Sequence, residues 1–170
     1  YYSEAGSQLY NQNNPEKAKA LLKEAGYKGE KVVLLTTRDI PRAYTTALVM
    51  SEQMKAAGIN AELLVLDWPT ALGMSVNDTK GWNFFFTTWI TVTAQGGAQS
   101  LRNLADPSNV HKPVGNKSDE DFMEQFRILS SSPDLEKRKE AFAKAQARVF
   151  DQVMAIPFGA IPKIQATRAN

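Results

Sequence analysis

The stretch from Lys31 to Trp89 constrains this chain most, because it reads strand, helix, strand, helix, strand. Val32 to Thr37 is a short apolar run with β-branched residues, and a loop with Arg38, Asp39, Ile40, Pro41 and Arg42 follows it. From Ala43 to Ala57, apolar residues at Ala43, Ala47, Met50, Met54 and Ala57 keep the spacing of one helix face. Gly58 falls where a left-handed cap would stop that helix. Ala61 to Leu66 is a second strand whose core, Leu63 to Leu66, is continuously apolar rather than alternating. Such a strand, reached through a helix, predicts a parallel pair covered on both faces. Asn83 to Trp89 is a third run, in which Phe84, Phe85 and Phe86 read as core. In open α/β sheets, ligands sit outside the carboxyl ends of the strands. The residues just after Thr37, Leu66 and Thr88 are therefore the first place to look for function.

The remaining chain supplies helices on either side of this unit. Tyr1 to Gln12 is mostly polar and reads as extended or irregular. Asn14 and Pro15 open a helix, one as its cap and the other in its first turn, where the missing N–H is no loss. Its apolar face is Ala18, Leu21, Leu22 and Ala25, and Gly26 ends it. Trp68-Pro69 starts a short helix through about Val76, closed by the turn-rich segment Asn77 to Gly81. Ile90 to Asn116 reads as a long connection with one helical turn at Ala98 to Leu104, and long loops of this kind are often functional. Ser118 with Asp121 resembles a capping box for a helix whose face is Phe122, Phe126 and Leu129. Ser132-Pro133 opens the longest helix, to about Met154, with Arg138, Phe142, Ala145, Val149 and Val153 on its inner side. Ala155 to Pro162 is extended and interrupted by prolines, which suits an edge.

Composition removes several classes of function. At 170 residues the chain can bury a real core, and its 43% hydrophobic and 22% charged content is ordinary for a globular protein. A net charge of +2, with both signs interspersed, argues against a nucleic-acid surface. There is no run near the ~20 apolar residues of a membrane span, and residues 1–12 lack the pattern of a signal peptide. With no cysteine, disulfides and thiolate zinc sites are excluded, and with one histidine so is a histidine-rich metal site. The first residue is Tyr1 and not Met, and the chain starts in mid-sequence, which reads as an excised piece of a longer protein.

Enzyme templates find little to hold. There is no phosphate loop, and Gly96-Gly97 lacks the spaced glycines of a dinucleotide fingerprint. No nucleophile elbow occurs. His111 with a loop serine such as Ser108 is formally compatible with a hydrolase, but a triad needs ordered partners, and an exposed loop histidine is the simpler reading. Glu120-Asp121 reads as a solvated helix start, where negative charge suits the dipole. What remains lies at the strand ends. Arg42 and Tyr44, in the loop after the first strand, are candidates, since an arginine can hold a carboxylate or phosphate bidentately. Trp68 reads first as a packed lid on its helix and second as a ligand platform. Trp89 reads equally as core or as an aromatic stacked on a solute.

These residues carry a resemblance. Asn14-Pro15-Glu16-Lys17-Ala18 through Ala25-Gly26-Tyr27, Met50 to Leu66 with its Gly58-Ile59 join, Asp67-Trp68, Gly81-Trp82-Asn83-Phe84 to Trp89, Pro133-Asp134 to Arg138, and Ala155-Ile156-Pro157-Phe158 occur in order. The chain resembles, from about Asn13 to Ile161, the carboxyl-terminal lobe of family 5 extracytoplasmic solute-binding proteins, the dipeptide, oligopeptide and nickel class of ABC importers. The resemblance implies an α/β, periplasmic-binding-protein-like lobe (type II, cluster C) with a mostly parallel sheet flanked by helices. It implies that residues 1–170 are one lobe, the amino-terminal lobe being absent. It implies a non-catalytic, cofactor-free, monomeric, periplasmic receptor that closes over a peptide-like or other small polar solute and delivers it to a membrane permease. A sensor or interaction module on the same fold is the alternative.

In dipeptide-binding members an arginine in a Pro-Arg-x-Tyr loop holds the solute carboxylate, and Pro41-Arg42-Ala43-Tyr44 matches that loop. Those members also carry an aspartate shortly after the third strand, for the solute's amino group. Here the sequence runs Trp89-Ile90-Thr91-Val92-Thr93-Ala94-Gln95, without an acid. A buried ammonium without a carboxylate is costly. This argues against a free-amine peptide and leaves Thr91, Thr93 and Gln95 as neutral hydrogen-bonding candidates.

Overall fold

A computed structural model describes residues 2–77, 80–88 and 119–159. Three parallel strands form a sheet in the order β2-β1-β3, with β1 at Val32–Thr37, β2 at Ala61–Leu66 and β3 at Phe84–Phe85. The central strand pairs Leu34 with Leu63 on one side and with Phe84 on the other. Asn83 extends the β3 ladder: its amide donates to the Val33 carbonyl at 2.8 Å, and its side-chain oxygen accepts from the Val33 amide at 2.7 Å. The paired part of the third run is thus shorter than the span from Asn83 to Trp89 that the sequence predicts, and Trp89 lies outside the described residues. So do Thr91, Thr93, Gln95, Ser108, His111 and Ser118, and the long connection from Ile90 to Asn116.

The alternation of β1 sends its side chains to two different helices. Leu34 packs with Ala43 and Ala47 of α2 (Pro41–Ala56), together with Ala61 and Phe86. Met50 and Met54 fill the edges of that cluster. The opposite face, with Leu35 paired to Phe85, lies under α3 (Trp68–Asn77), whose Ala71 and Ser75 are buried. Leu34 to Thr37 are fully buried, whereas Leu63 to Leu66 of β2 are only half-buried. The expected two-sided cover is therefore complete over Leu34 to Thr37 of the central strand, and the continuous apolar run of β2 lies partly open at the sheet edge.

Helix ends follow local chemistry, with three corrections. α1 (Pro15–Glu24) has Asn14 as its cap, accepting from the Lys17 amide at 2.9 Å. Both α1 and α2 end in the same turn: Gly26 (φ 71°) and Gly58 (φ 90°) sit in the left-handed region, and Tyr27 and Ile59 donate back to Leu22 and Met54. α2, however, begins at Pro41, two residues before the apolar pattern does, because proline at the first position has no N–H to leave unpaired. Arg42 and Tyr44 therefore lie in the first turn of a helix and not in a loop. The predicted apolar face of α1 is not buried either: Leu21 and Ala25 are exposed, and Ala18 and Leu22 are half-buried.

The third correction concerns the helical hairpin, α4 (Glu120–Ser131) and α5 (Leu135–Asp151). The caps are Asp119 and Asp134, not Ser118 and Ser132. Asp119 accepts from the Phe122 amide at 2.8 Å, and Asp134 from the amides of Glu136 and Lys137. Phe122, Ala145 and Val149 form the hairpin core, with Phe126 stacked beside Phe122. Val153 faces away, because α5 stops at Asp151 and the chain turns out of the helix through Val153 with φ 49°. The amino-terminal segment is anchored on this hairpin, and its otherwise irregular course includes a short 3₁₀ turn at Ser7–Leu9. The Gln146 amide donates to the Ser3 and Ala5 carbonyls at 3.0 and 2.9 Å.

Asp119 also holds Arg148, whose Nε lies 3.0 Å from one carboxylate oxygen and whose Nη2 lies 2.9 Å away. That guanidinium, with the Phe122 amide, holds the Asp119 carboxyl below its usual range despite burial. A lowered carboxylate pKa in the folded chain stabilises it fully above about pH 4 and less as pH falls through the folded value. Asp119→Ala is expected to destabilise by about 2 kcal/mol at pH 7, from the lost cap and ion pair. The gap from the parent should shrink in urea titrations below pH 4. A gap equal at pH 3 and pH 7 would show that the pair contributes nothing.

Candidate functional site

The carboxyl end of β1 gathers most of the side chains that the sequence singles out. Thr37 closes the strand, and its hydroxyl accepts from the Asp39 amide at 3.1 Å. Arg38, next in the chain, is exposed and lies over the Tyr44 ring, with its guanidinium carbon 5.3 Å from the ring centroid. Arg42 is exposed in the first turn of α2. Neither arginine makes an ion pair with a described residue. The start of α2 has no side-chain cap, since Ile40 occupies that position. A cation at a helix amino terminus is disfavoured by the dipole, so Arg42 stands where an anion would relieve it.

The neighbouring helix start is built the other way. Asp39 reaches across from the β1 loop and accepts from the Trp68 amide at 2.7 Å. Asp67 accepts from the Thr70 amide at 3.0 Å, and hydrogen bonds from Thr70 hold the Asp67 carboxyl below its usual range. Pro69 has no N–H. The first-turn donors of α3 are thus already spent on the chain's own carboxylates, and a solute anion would find no free N–H there. Sequence reading missed both Arg38 and Asp39. An Arg-Asp pair directly after a strand was the available signal for Arg38, while the Asp39 bond spans 29 residues and has no local mark.

Trp68 is packed. Its ring stacks on Phe85 at 6.0 Å and 16°, and Trp82 leans on the same Phe85 at 6.2 Å. Trp82 donates through Nε1 to the Met74 carbonyl, which ties the approach to β3 onto α3. The structure therefore places Arg42, Tyr44 and Trp68 at one edge of the sheet, the first two in the first turn of α2, two residues apart, and the third as the first residue of α3. Trp89, Thr91 and Thr93 lie outside the described residues. Among the described residues, no cluster of histidine, aspartate and glutamate is arranged to hold a metal ion, and no helix is long and apolar enough to cross a membrane.

An open groove of about 460 Å³ lies at the other end of the sheet, lined by Lys19, Lys23, Tyr27, Lys28, Gly26 and Gly58 among others. It is the seam where α1 and α2 both end. Tyr27 closes it, donating to the Glu30 carbonyl at 2.6 Å and accepting from the Asn60 amide at 2.8 Å. Lysines beside two helix carboxyl termini are sufficiently explained by the dipoles they face. The groove lies away from the strand ends where open α/β sheets take ligands.

The model of the family "Bacterial extracellular solute-binding proteins, family 5 Middle" matches residues 1–111. The chain is 30% identical over 151 residues to y4tO of Sinorhizobium fredii, which carries the name of a probable peptide ABC transporter periplasmic-binding protein. That match covers 86% of this chain and 28% of the relative. The fold superimposes on AppA from Clostridium difficile with a TM-score of 0.77 at 18% identity, covering 90% of this chain and 31% of that one. It also superimposes on the dipeptide-binding protein of Pseudoalteromonas sp. SM9913, solved with Met-Leu, with a TM-score of 0.64 at 20% identity, covering 83% and 29%. The chain thus spans about three-tenths of the length of these relatives. A parallel α/β sheet that superimposes on periplasmic binding proteins, joined to a family match over residues 1–111, places this chain in family 5 of the bacterial extracellular solute-binding proteins.

Proposed function

We propose that residues 1–170 are one lobe of a two-lobed solute receptor of an ABC importer, and that the carboxyl edge of its sheet forms one wall of the solute cleft. The observation that carries this reading is Arg42: an exposed guanidinium, without an ionic partner among the described residues, in the first turn of α2 at the carboxyl end of the central parallel strand. In a two-lobed receptor, solute contacts both lobes and so favours the closed state through contacts that the open state lacks. One wall of such a cleft, taken by itself, is an open edge and not a pocket. The work of the site is binding without catalysis, with Arg42 holding a solute anion and Tyr44 flanking it. The partner is an importer permease, which receives the solute.

Native mass spectrometry of the protein from its source should find a mass several times that of these residues, with a small adduct lost on activation. The adduct's mass identifies the solute. Arg42→Ala in that full-length protein should then weaken binding of the same solute by about 10- to 100-fold, the size of a lost charge-assisted hydrogen-bond pair. A native species of about 18.8 kDa without an adduct would refute the two-lobed receptor. Unchanged affinity in Arg42→Ala would refute the placing of the site.

A further inference from the structure

We propose that Arg38 is a specificity-determining residue, which with Arg42 gives the carboxyl end of β1 two guanidiniums that select a solute with a doubly anionic end. This rests on the receptor reading and deepens it. Three observations carry it. Arg38 directly follows the buried Thr37, so the strand sets where its backbone emerges. Its guanidinium lies over the Tyr44 ring, a contact that favours this placement by about 0.5–1 kcal/mol, and Tyr44 is itself held in α2 two residues beyond Arg42. A cation parked on an aromatic face keeps its N–H edge available for an anion and loses less freedom on binding one.

The third observation is what surrounds it. No carboxylate among the described residues forms an ion pair with Arg38. Asp39 spends an oxygen on the Trp68 amide, and Asp67 spends one on Thr70. Neither makes an ion pair with Arg38 or Arg42. Those same carboxylates close the α3 amino terminus to a solute anion and repel one there. A single solute carboxylate needs one guanidinium; Arg38 and Arg42, both without an ionic partner among the described residues, suit two negative charges at one end of the solute.

The test uses the full-length receptor and a near-isosteric pair of probes without a free amine, N-acetyl-alanyl-glutamate and N-acetyl-alanyl-glutamine, in isothermal titration. The unmodified receptor is expected to prefer the glutamate probe by about tenfold, one charge-assisted contact. Arg38→Gln should reduce that preference to about threefold or less, and Arg38→Lys should retain most of it, since the charge persists. Arg38 is exposed, so these variants should fold as the parent does. A preference unchanged in Arg38→Gln, or absent in the unmodified receptor, overturns the role of Arg38 and leaves the receptor reading standing if either probe binds. Binding of neither probe overturns the proposed selectivity. If the native protein also carries no adduct, the receptor reading falls with it.

Discussion

Phe122→Ala is expected to destabilise the chain by about 3–5 kcal/mol, the range for removing a buried aromatic side chain. Phe122 is fully buried and is the largest side chain at the centre of the hairpin core. It stacks on Phe126 with centroids 6.5 Å apart and packs near Ala145 and Val149 of α5. The buried partners on α5, Ala145 and Val149, are small and cannot reach in to fill the space. The lost contacts and the cavity therefore add. Phe122 is also the residue whose amide Asp119 caps, so a shifted backbone would weaken that bond as well. Urea unfolding followed by circular dichroism measures the change. A loss below about 1 kcal/mol would mean that the hairpin packs elsewhere.

Leu34→Ala should cost about 2–5 kcal/mol by the same reasoning applied to the sheet. Leu34 is fully buried in the central strand, between Leu63 and Phe84 laterally and against Ala43 and Ala47 of α2. The strands on both sides hold its backbone in register, which limits how far the site can collapse. Leu34 and Phe122 belong to separate clusters without a shared partner among the described residues. Their effects should therefore add within about 0.5 kcal/mol in the double variant. Strong non-additivity would show the two cores to be coupled. Native domains are stable by only about 5–15 kcal/mol, so the summed loss takes a large share of the parent's stability.

Much of the candidate site is legible in the order and spacing of the residues. The β1–α2–β2 unit follows from the spacing of Ala43, Ala47, Met50 and Met54, and from Gly58 where a left-handed turn is needed. That unit alone points to the strand ends and so to Arg42, Tyr44 and Trp68. The rest depends on distance in space. The packing of Trp68 requires Phe85, which arrives only through the β1–β3 pairing. Asp119 and not Ser118 caps α4, and the same carboxylate holds Arg148, 29 residues away, a partner without any local mark in the sequence.

Sequence alone determined the element order, the parallel pairing, the helix ends at Gly26 and Gly58 and the family, because these rest on local periodicity, on backbone freedom at single residues and on motifs in order. Tertiary structure decided which groups are free to act. Asp39 is committed to the Trp68 amide, while Arg38 and Arg42 on the same edge have no ionic partner among the described residues. Whether a charge is available to a solute depends on which long-range hydrogen bonds already use it. Those bonds join segments that periodicity cannot relate.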